Sequence, residues 1–169
     1  MPVQRLNHAV LFVRDVERSV AFYQEALGFK VVMGMPGAAF LQASGSSNDH
    51  DLGLFELGAQ AGPSGAGRST VGLYHLAWEV DTLRELERIA VKLSELNALV
   101  GASDHSTTKA LYAKDPDGLE FEVSWLVPAD LLTSETLSGR SGIKPLDIAR
   151  EKERYGADTR GGLGVSIPV

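Results

Sequence analysis

Cysteine is absent from the 169 residues. No disulfide framework can form, and no thiol can serve as nucleophile or metal ligand. The absence suits a reducing compartment, so a cytoplasmic protein is expected. An excess of basic residues is also missing. There are 16 Lys and Arg against 22 Asp and Glu, a net charge of −6. With no basic stripe, the balance speaks against a nucleic-acid partner or an anionic membrane surface. No apolar run approaches the roughly 20 residues that span a bilayer. The opening "MPVQRLNHAVLFV" lacks the charged region, apolar core and cleavage site of a secretory leader. Histidine is scarce, with four in the chain.

What is present reads as a globular chain, 44% hydrophobic and 22% charged, and its pattern is written twice. "LNHAVLFVRDVERSVAFYQEALGFKVV" begins at Leu6, and "LYHLAWEVDTLRELERIAVKLSELNALVG" begins at Leu73. Each holds a strand-like run with His in its third place, an Asp after the run, a helix, a break and a further strand. Both faces of the first run are apolar, which predicts a strand buried on both sides. Asp15 is placed to cap a helix whose stripe is Val16, Val20, Tyr23 and Leu27, ended by Gly28. Thr82 and Glu85 have capping-box spacing ahead of the stripe Leu86, Ile89, Leu93 and Leu96. Further strands are expected at 29–33, 39–43, 50–57, 99–102, 109–113 and 119–126. The chain then divides into a first β-α-β-β-β unit (1–57), a Gly-rich connection (58–70), a second such unit (71–127) and a C-terminal extension (128–169). The connection "GAQAGPSGAGRST" lacks the Gly-Lys-Ser/Thr ending of a phosphate-binding loop. In the extension a short helix is expected around 147–154.

His8 and His75 hold matching places in the repeat. An imidazole from each unit and a carboxylate from a third strand make a donor set suited to non-haem Fe(II) and related divalent metals. The carboxylate candidates are Glu120 and Glu122 in "DPDGLEFEVSW" and Glu56 in "LGLFELG". Residue pattern alone leaves these three open.

The paired units, the His in each leading run and the "DPDG" shortly before a Glu resemble the vicinal oxygen chelate superfamily. That group includes glyoxalase I, bleomycin-resistance proteins, extradiol dioxygenases and fosfomycin-resistance enzymes. The resemblance covers residues 3–126. It implies an α+β fold in which two βαβββ units form an eight-stranded, incompletely closed barrel around a metal. Within the group the chain is most similar to small single-domain relatives of catechol 2,3-dioxygenase. On that resemblance the metal ligands fall on His8, His75 and Glu122. "SSNDHDLGLF" places an acid/base residue at His50, and "DHSTTKALYAKDPDGLEFE" places two substrate-facing residues at His105 and Tyr112. The gap between His105 and Tyr112 is two residues shorter than in larger relatives. The implied activity is ring cleavage of a small aromatic diol by O2 at Fe(II), with Zn, Ni, Mn or Co as other metals for such a site, in a homodimer.

Two other readings stand beside it. A glyoxalase-like isomerase or lyase places a fourth ligand on the last strand of unit one, where Glu56 lies, and needs no O2. A drug-binding module needs neither metal nor turnover, but such relatives lack the His/His/Glu set. Aromatic walls are expected from Phe40, Phe55, Trp78 or Trp125.

Overall fold

The computed structural model describes residues 2–3, 5–66 and 69–162. Contacts divide the chain into two compact units, Met1–Gly65 with Asp115–Gly118, and Ala66–Lys114 with Leu119–Val169.

The first unit runs β1 (Ala9–Val13), α1 (Val16–Leu27), β2 (Lys30–Met35), β3 (Ala38–Gln42) and β4 (Leu52–Glu56). Its sheet has the order β1-β4-β3-β2. β1 and β4 are parallel and the other pairs antiparallel. Helix α1 starts where Asp15, in extended conformation, accepts from the Arg18 N–H at 2.8 Å. It stops at Gly28, whose φ of 71° is left-handed and open to glycine at little cost. Its buried stripe is Val16, Ser19, Tyr23 and Ala26, with the expected Val20 and Leu27 half-buried. Leu41, Leu52 and Leu54 are fully buried in the same unit.

β1 departs from the expected double burial. Val10 is 50% exposed and Phe12 67% exposed. They pair in register with Gly53 and Phe55 of β4, so one face of this sheet is apolar yet open. Apolar residues on both sides of a strand are compatible with burial but do not supply a partner layer.

The "DPDG" turn at Asp115–Gly118 also belongs to this unit. Asp117 accepts from the Arg14 N–H and Nη1, both at 2.9 Å, and from Arg18 Nη2 at 2.7 Å. Against the upward push of burial, these donors hold its carboxyl below the ordinary aspartate value. Asp115 accepts from the Tyr23 hydroxyl at 3.2 Å. Burial, and then the Asp115 charge, push that phenol well above its ordinary value. Gly118, at φ 83°, closes the turn through its N–H to the Asp115 carbonyl.

The second unit repeats the topology with β5 (Leu76–Glu79), α2 (Leu83–Glu95), β6 (Leu99–Asp104), β7 (Thr108–Lys114) and β8 (Glu120–Leu126). Thr82 caps α2 by accepting from the Glu85 N–H at 3.2 Å, while the Glu85 carboxylate pairs with Arg88. Leu83, Leu86, Ile89 and Leu93 are buried. The C-terminal extension contributes a 3-10 turn (Ala129–Leu131), α3 (Ser134–Gly139), β9 (Lys144–Pro145) and α4 (Ile148–Tyr155), the last capped by Asp147. The expected helix around 147–154 is thus α4. β9 joins the sheet, giving the order β5-β8-β7-β6-β9.

Both βαβββ units therefore form as the repeat dictates. Among the described residues their hydrogen bonding makes a four-stranded and a five-stranded sheet, and β9 is a ninth strand that the repeat did not announce. Among the described residues no helix is long and apolar enough to cross a membrane.

Candidate metal and catalytic residues

In the second unit β7 and β8 are antiparallel, and Glu122 lies directly opposite Tyr112. β5 runs parallel to β8 with Ala77 beside Glu122. Alternation then puts Glu120, Glu122 and Tyr112 on one face, and Phe121, Val123, Leu111 and Lys109 on the other. His75 stands one residue before β5, not inside it as the sequence pattern suggested. Its counterpart His8 stands one residue before β1. The two histidines thus keep matching places at the mouths of equivalent strands.

His75 Nε2 lies 3.2 Å from Glu122 Oε2, with side chains 25% and 14% exposed. Two ligands held at ~2.0–2.2 Å from one ion at right angles stand about 3 Å apart, so this approach fits neighbouring donors of a divalent metal. His75 Nδ1 is buried without a hydrogen-bond partner among the described residues. An imidazole nitrogen and a carboxylate oxygen are the donor types that Fe(II), Mn(II), Ni(II) and Zn(II) accept.

Aromatic rings close around this pair. The Tyr74 ring is 4.6 Å from that of His75 and the Tyr112 ring 6.1 Å. His105 Nε2 and the Tyr112 hydroxyl are 2.9 Å apart. The shortened spacing in the sequence therefore does not turn His105 away. Burial first, then the charges of Glu122 and Tyr74, raise the Tyr112 phenol above its ordinary value. It keeps its proton at neutral pH and can donate one hydrogen bond. Glu120, the other acid on this face, lies near Lys114 at 3.5 Å.

In the first unit His8 and His50 come together, ring centroids 4.5 Å apart. Each Nδ1 meets an acceptor on the residue before it, Asn7 Oδ1 at 2.8 Å and Asp49 Oδ2 at 2.9 Å. A proton held at Nδ1 leaves the Nε2 lone pair for a ligand or a proton. Phe40 stacks edge-on to His50 at 5.0 Å and to Phe55 at 5.8 Å. Buried Asp51 fixes the loop that carries His50, accepting from Ala43 N–H, Ser46 Oγ and Asn48 Nδ2 at 2.7–2.8 Å.

Glu56 lies elsewhere in this unit, at the N-terminus of α1. Its Oε2 accepts from the Val16 N–H at 3.0 Å, and its ligand atoms lie within 4.8 Å of those of Asp15 and Glu17. A carboxylate there satisfies an orphan helix donor and complements the helix dipole.

Of the expected aromatic walls, Phe40 lies beside His50, and Phe55 packs on Phe40. Trp125 does not line a wall. It is fully buried, its ring 5.5 Å from that of Tyr155, with Nε1 donating to the Thr159 carbonyl. Sequence pattern also passed over Tyr74, Asp51, Asp104, Lys109 and Glu151. Strand parity offered a signal for Lys109, which alternates with buried Leu111 and Ala113.

Comparison with known proteins identifies the family and the fold. The family model described as Glyoxalase/Bleomycin resistance protein/Dioxygenase superfamily matches residues 5–123. The chain is 33% identical to a catechol-2,3-dioxygenase of Bacillus subtilis over 121 residues, 70% of this chain but 40% of that protein. It is 32% identical to a lactoylglutathione lyase of Neisseria meningitidis over 124 residues, covering 70% of this chain and 88% of that one. A glyoxylase/bleomycin resistance protein/dioxygenase domain from Frankia shares the fold at a TM-score of 0.59 and 21% identity, with 73% of this chain and 92% of that one covered. A mutant of the fosfomycin resistance protein FosX from Listeria monocytogenes, complexed with Mn(II), shares it at 0.57 and 19%, covering 83% and 100%.

Proposed function

The chain belongs to the glyoxalase/bleomycin resistance protein/dioxygenase superfamily, and we propose that it is a metal-dependent extradiol dioxygenase acting on a small aromatic diol. The observation that carries this reading is the 3.2 Å approach of His75 Nε2 to Glu122 Oε2 beside the hydrogen-bonded His105–Tyr112 pair. Likeness to a catechol-2,3-dioxygenase and to a biphenyl-2,3-diol 1,2-dioxygenase supports it. The chain spans only 40% and 59% of those two proteins, so their activity comes to it as a proposal.

The proposed ligands are His8, His75 and Glu122. For His8 the support is its place, one residue ahead of the strand equivalent to that which follows His75. Fe(II) bound there supplies the redox chemistry by which a diol and O2 react. The Tyr112 hydroxyl and His105 hydrogen-bond the diol oxygens and stabilise negative charge as it develops. His50, oriented through Asp49, accepts and returns protons at Nε2. Phe40, backed by Phe55, presents aromatic surface beside it. The proposal includes a homodimer in the cytoplasm, checked by light scattering and by localisation of the tagged chain.

The second reading, a lactoylglutathione lyase-like isomerase, is favoured by the 88% coverage of that relative, although Glu56, its expected fourth ligand, accepts from the Val16 N–H at the start of α1. A module that sequesters a drug without turnover is the third. One experiment separates them. The protein is purified without oxygen, reconstituted with Fe(II), and its O2 uptake is followed with a panel of catechols. Uptake with a ring-opened product, lowered ~100-fold or more by His50→Ala, is the expected result. Absence of uptake with every catechol, together with tight Ni(II) or Zn(II) binding and turnover of a glutathione hemithioacetal, contradicts the dioxygenase and favours the isomerase.

A further inference from the structure

His105 sits at the end of β6, in a turn that needs holding. Asp104 Oδ1 accepts from the Ser106 N–H at 2.7 Å, and the His105 N–H donates to the Thr108 carbonyl at 2.9 Å. Ser106 has φ 68°, a left-handed conformation that a residue with a side chain adopts at a cost. Such a turn persists when its surroundings over-determine it.

The surroundings are supplied by Lys109 and the C-terminal extension. The Lys109 side chain is fully buried on the face of the sheet opposite Tyr112. Its Nζ reaches Asp104 Oδ1 at 2.5 Å and the Ser106 carbonyl at 3.1 Å, bracketing His105 in sequence. The same Nζ lies 2.9 Å from Oε2 of Glu151 on α4, itself buried, and 5.6 Å from the Tyr155 ring. β9 pairs with β6 at Ser103 and Asp104, the two residues before His105. Against burial, the Lys109 hydrogen bond, with the Ser106 N–H and the Lys144 charge, keeps the Asp104 carboxyl below its ordinary value. Two pieces of the extension, both beyond the 5–123 span of the family match, thus converge on one turn.

We propose that Lys109 and Glu151 are positioning residues for His105, their buried ion pair tying α4 to the turn that aims its imidazole at the Tyr112 hydroxyl. A buried ammonium held only by Asp104 and the Ser106 carbonyl, both on the turn itself, would leave that turn several geometries. The second carboxylate, fixed on a helix with its Oε2 2.9 Å from Nζ, removes that freedom, because the ammonium is held between two opposite charges. The catalytic importance of His105 rests on the dioxygenase reading, but its positioning does not, and the test needs no turnover.

The full-length protein is labelled with 15N in its imidazoles, and long-range 1H–15N spectra report the tautomer of each histidine. His105→Ala assigns the His105 signals by their disappearance. The expected wild-type signal for His105 is that of one tautomer. Glu151→Gln is expected to move it toward the tautomer average while His8, His50 and His75 keep their positions. Glu153→Gln, at an exposed site on the same helix, is expected to move none of the four. Should Glu151→Gln fail to fold, Glu151→Asp, which keeps the charge but draws it back from Lys109, decides in its place. A folded variant with His105 at its wild-type position overturns the proposal, and so does movement of all four histidines together, which marks general loosening.

Discussion

The two units are the same βαβββ design, yet they treat their candidate residues differently. In the first, His8 and His50 are oriented by acceptors on the preceding residue, beside an open apolar face that includes Val10 and Phe12. In the second, His75, Glu122, Tyr112 and His105 form a linked cluster, backed across the sheet by buried Lys109 and by α4. The repeat places a histidine at equivalent points. What surrounds it comes from parts that the repeat does not encode. One unit presents imidazoles from loops, and the other braces them with an added strand and helix.

That contrast is most sharply broken at Lys109. Lys109→Met leaves Glu151 buried without its cation and is expected to destabilise the protein by ~3–5 kcal/mol in urea unfolding. The double variant Lys109→Met/Glu151→Leu is expected to recover most of that loss, since both buried charges go together and half-buried Asp104 keeps the Lys144 charge and the Ser106 N–H. Its recovery in stability without recovery of the His105 tautomer would separate stabilisation from aiming.

Alkaline pH sharpens the contrast from the first unit. The Tyr23 phenol has its folded pKa raised well above 10.0 by burial and by Asp115. Its contribution is therefore complete below 10.0 and lost as pH rises through the folded value. Tyr23→Phe is expected to flatten the alkaline limb of a stability–pH profile. Acid works the other way at Asp117, whose folded value is depressed. Its contribution is complete above the ordinary value of 3.8 and lost as pH falls through the lower folded one. Asp117→Asn is expected to lessen the fall in stability toward low pH.

The smallest effect is expected on the open face. Phe12→Ser, at a position 67% exposed, should change the stability of the chain by no more than about 0.5 kcal/mol. Phe121→Ala in the second unit, 2% exposed, should cost about 3–5 kcal/mol. Equal costs at the two sites would mean that Phe12 is covered in solution.

Much of the fold was legible in the sequence because periodicity and caps are local signals. Asp15, Gly28 and Thr82 each mark a helix end through their own chemistry, and the doubled pattern announced two equivalent sheets. The pairing of His75 with Glu122 and of His105 with Tyr112 was reached through matching places and resemblance rather than from local chemistry. Other features were illegible for physical reasons. Val10 and Phe12 are apolar, but hydrophobicity does not say whether a partner layer exists. Lys109 shows buried parity, but its acceptor Glu151 lies far along the chain, and nothing in the intervening residues announces the contact. Glu56 had the right parity for a cavity. Its carboxylate instead meets the first N–H of a helix, a destination set by where α1 begins.

Metal binding at His75 and Glu122 is the central claim, and Fe(II) titration of the protein without oxygen tests it most directly. About one equivalent is expected to bind the wild-type chain. Glu122→Ala is expected to weaken binding by more than about 100-fold, beyond the ~10–100-fold lost when an outer-shell partner is removed, while Glu120→Ala leaves it unchanged. Binding by Glu122→Ala that matches the wild type would contradict the account.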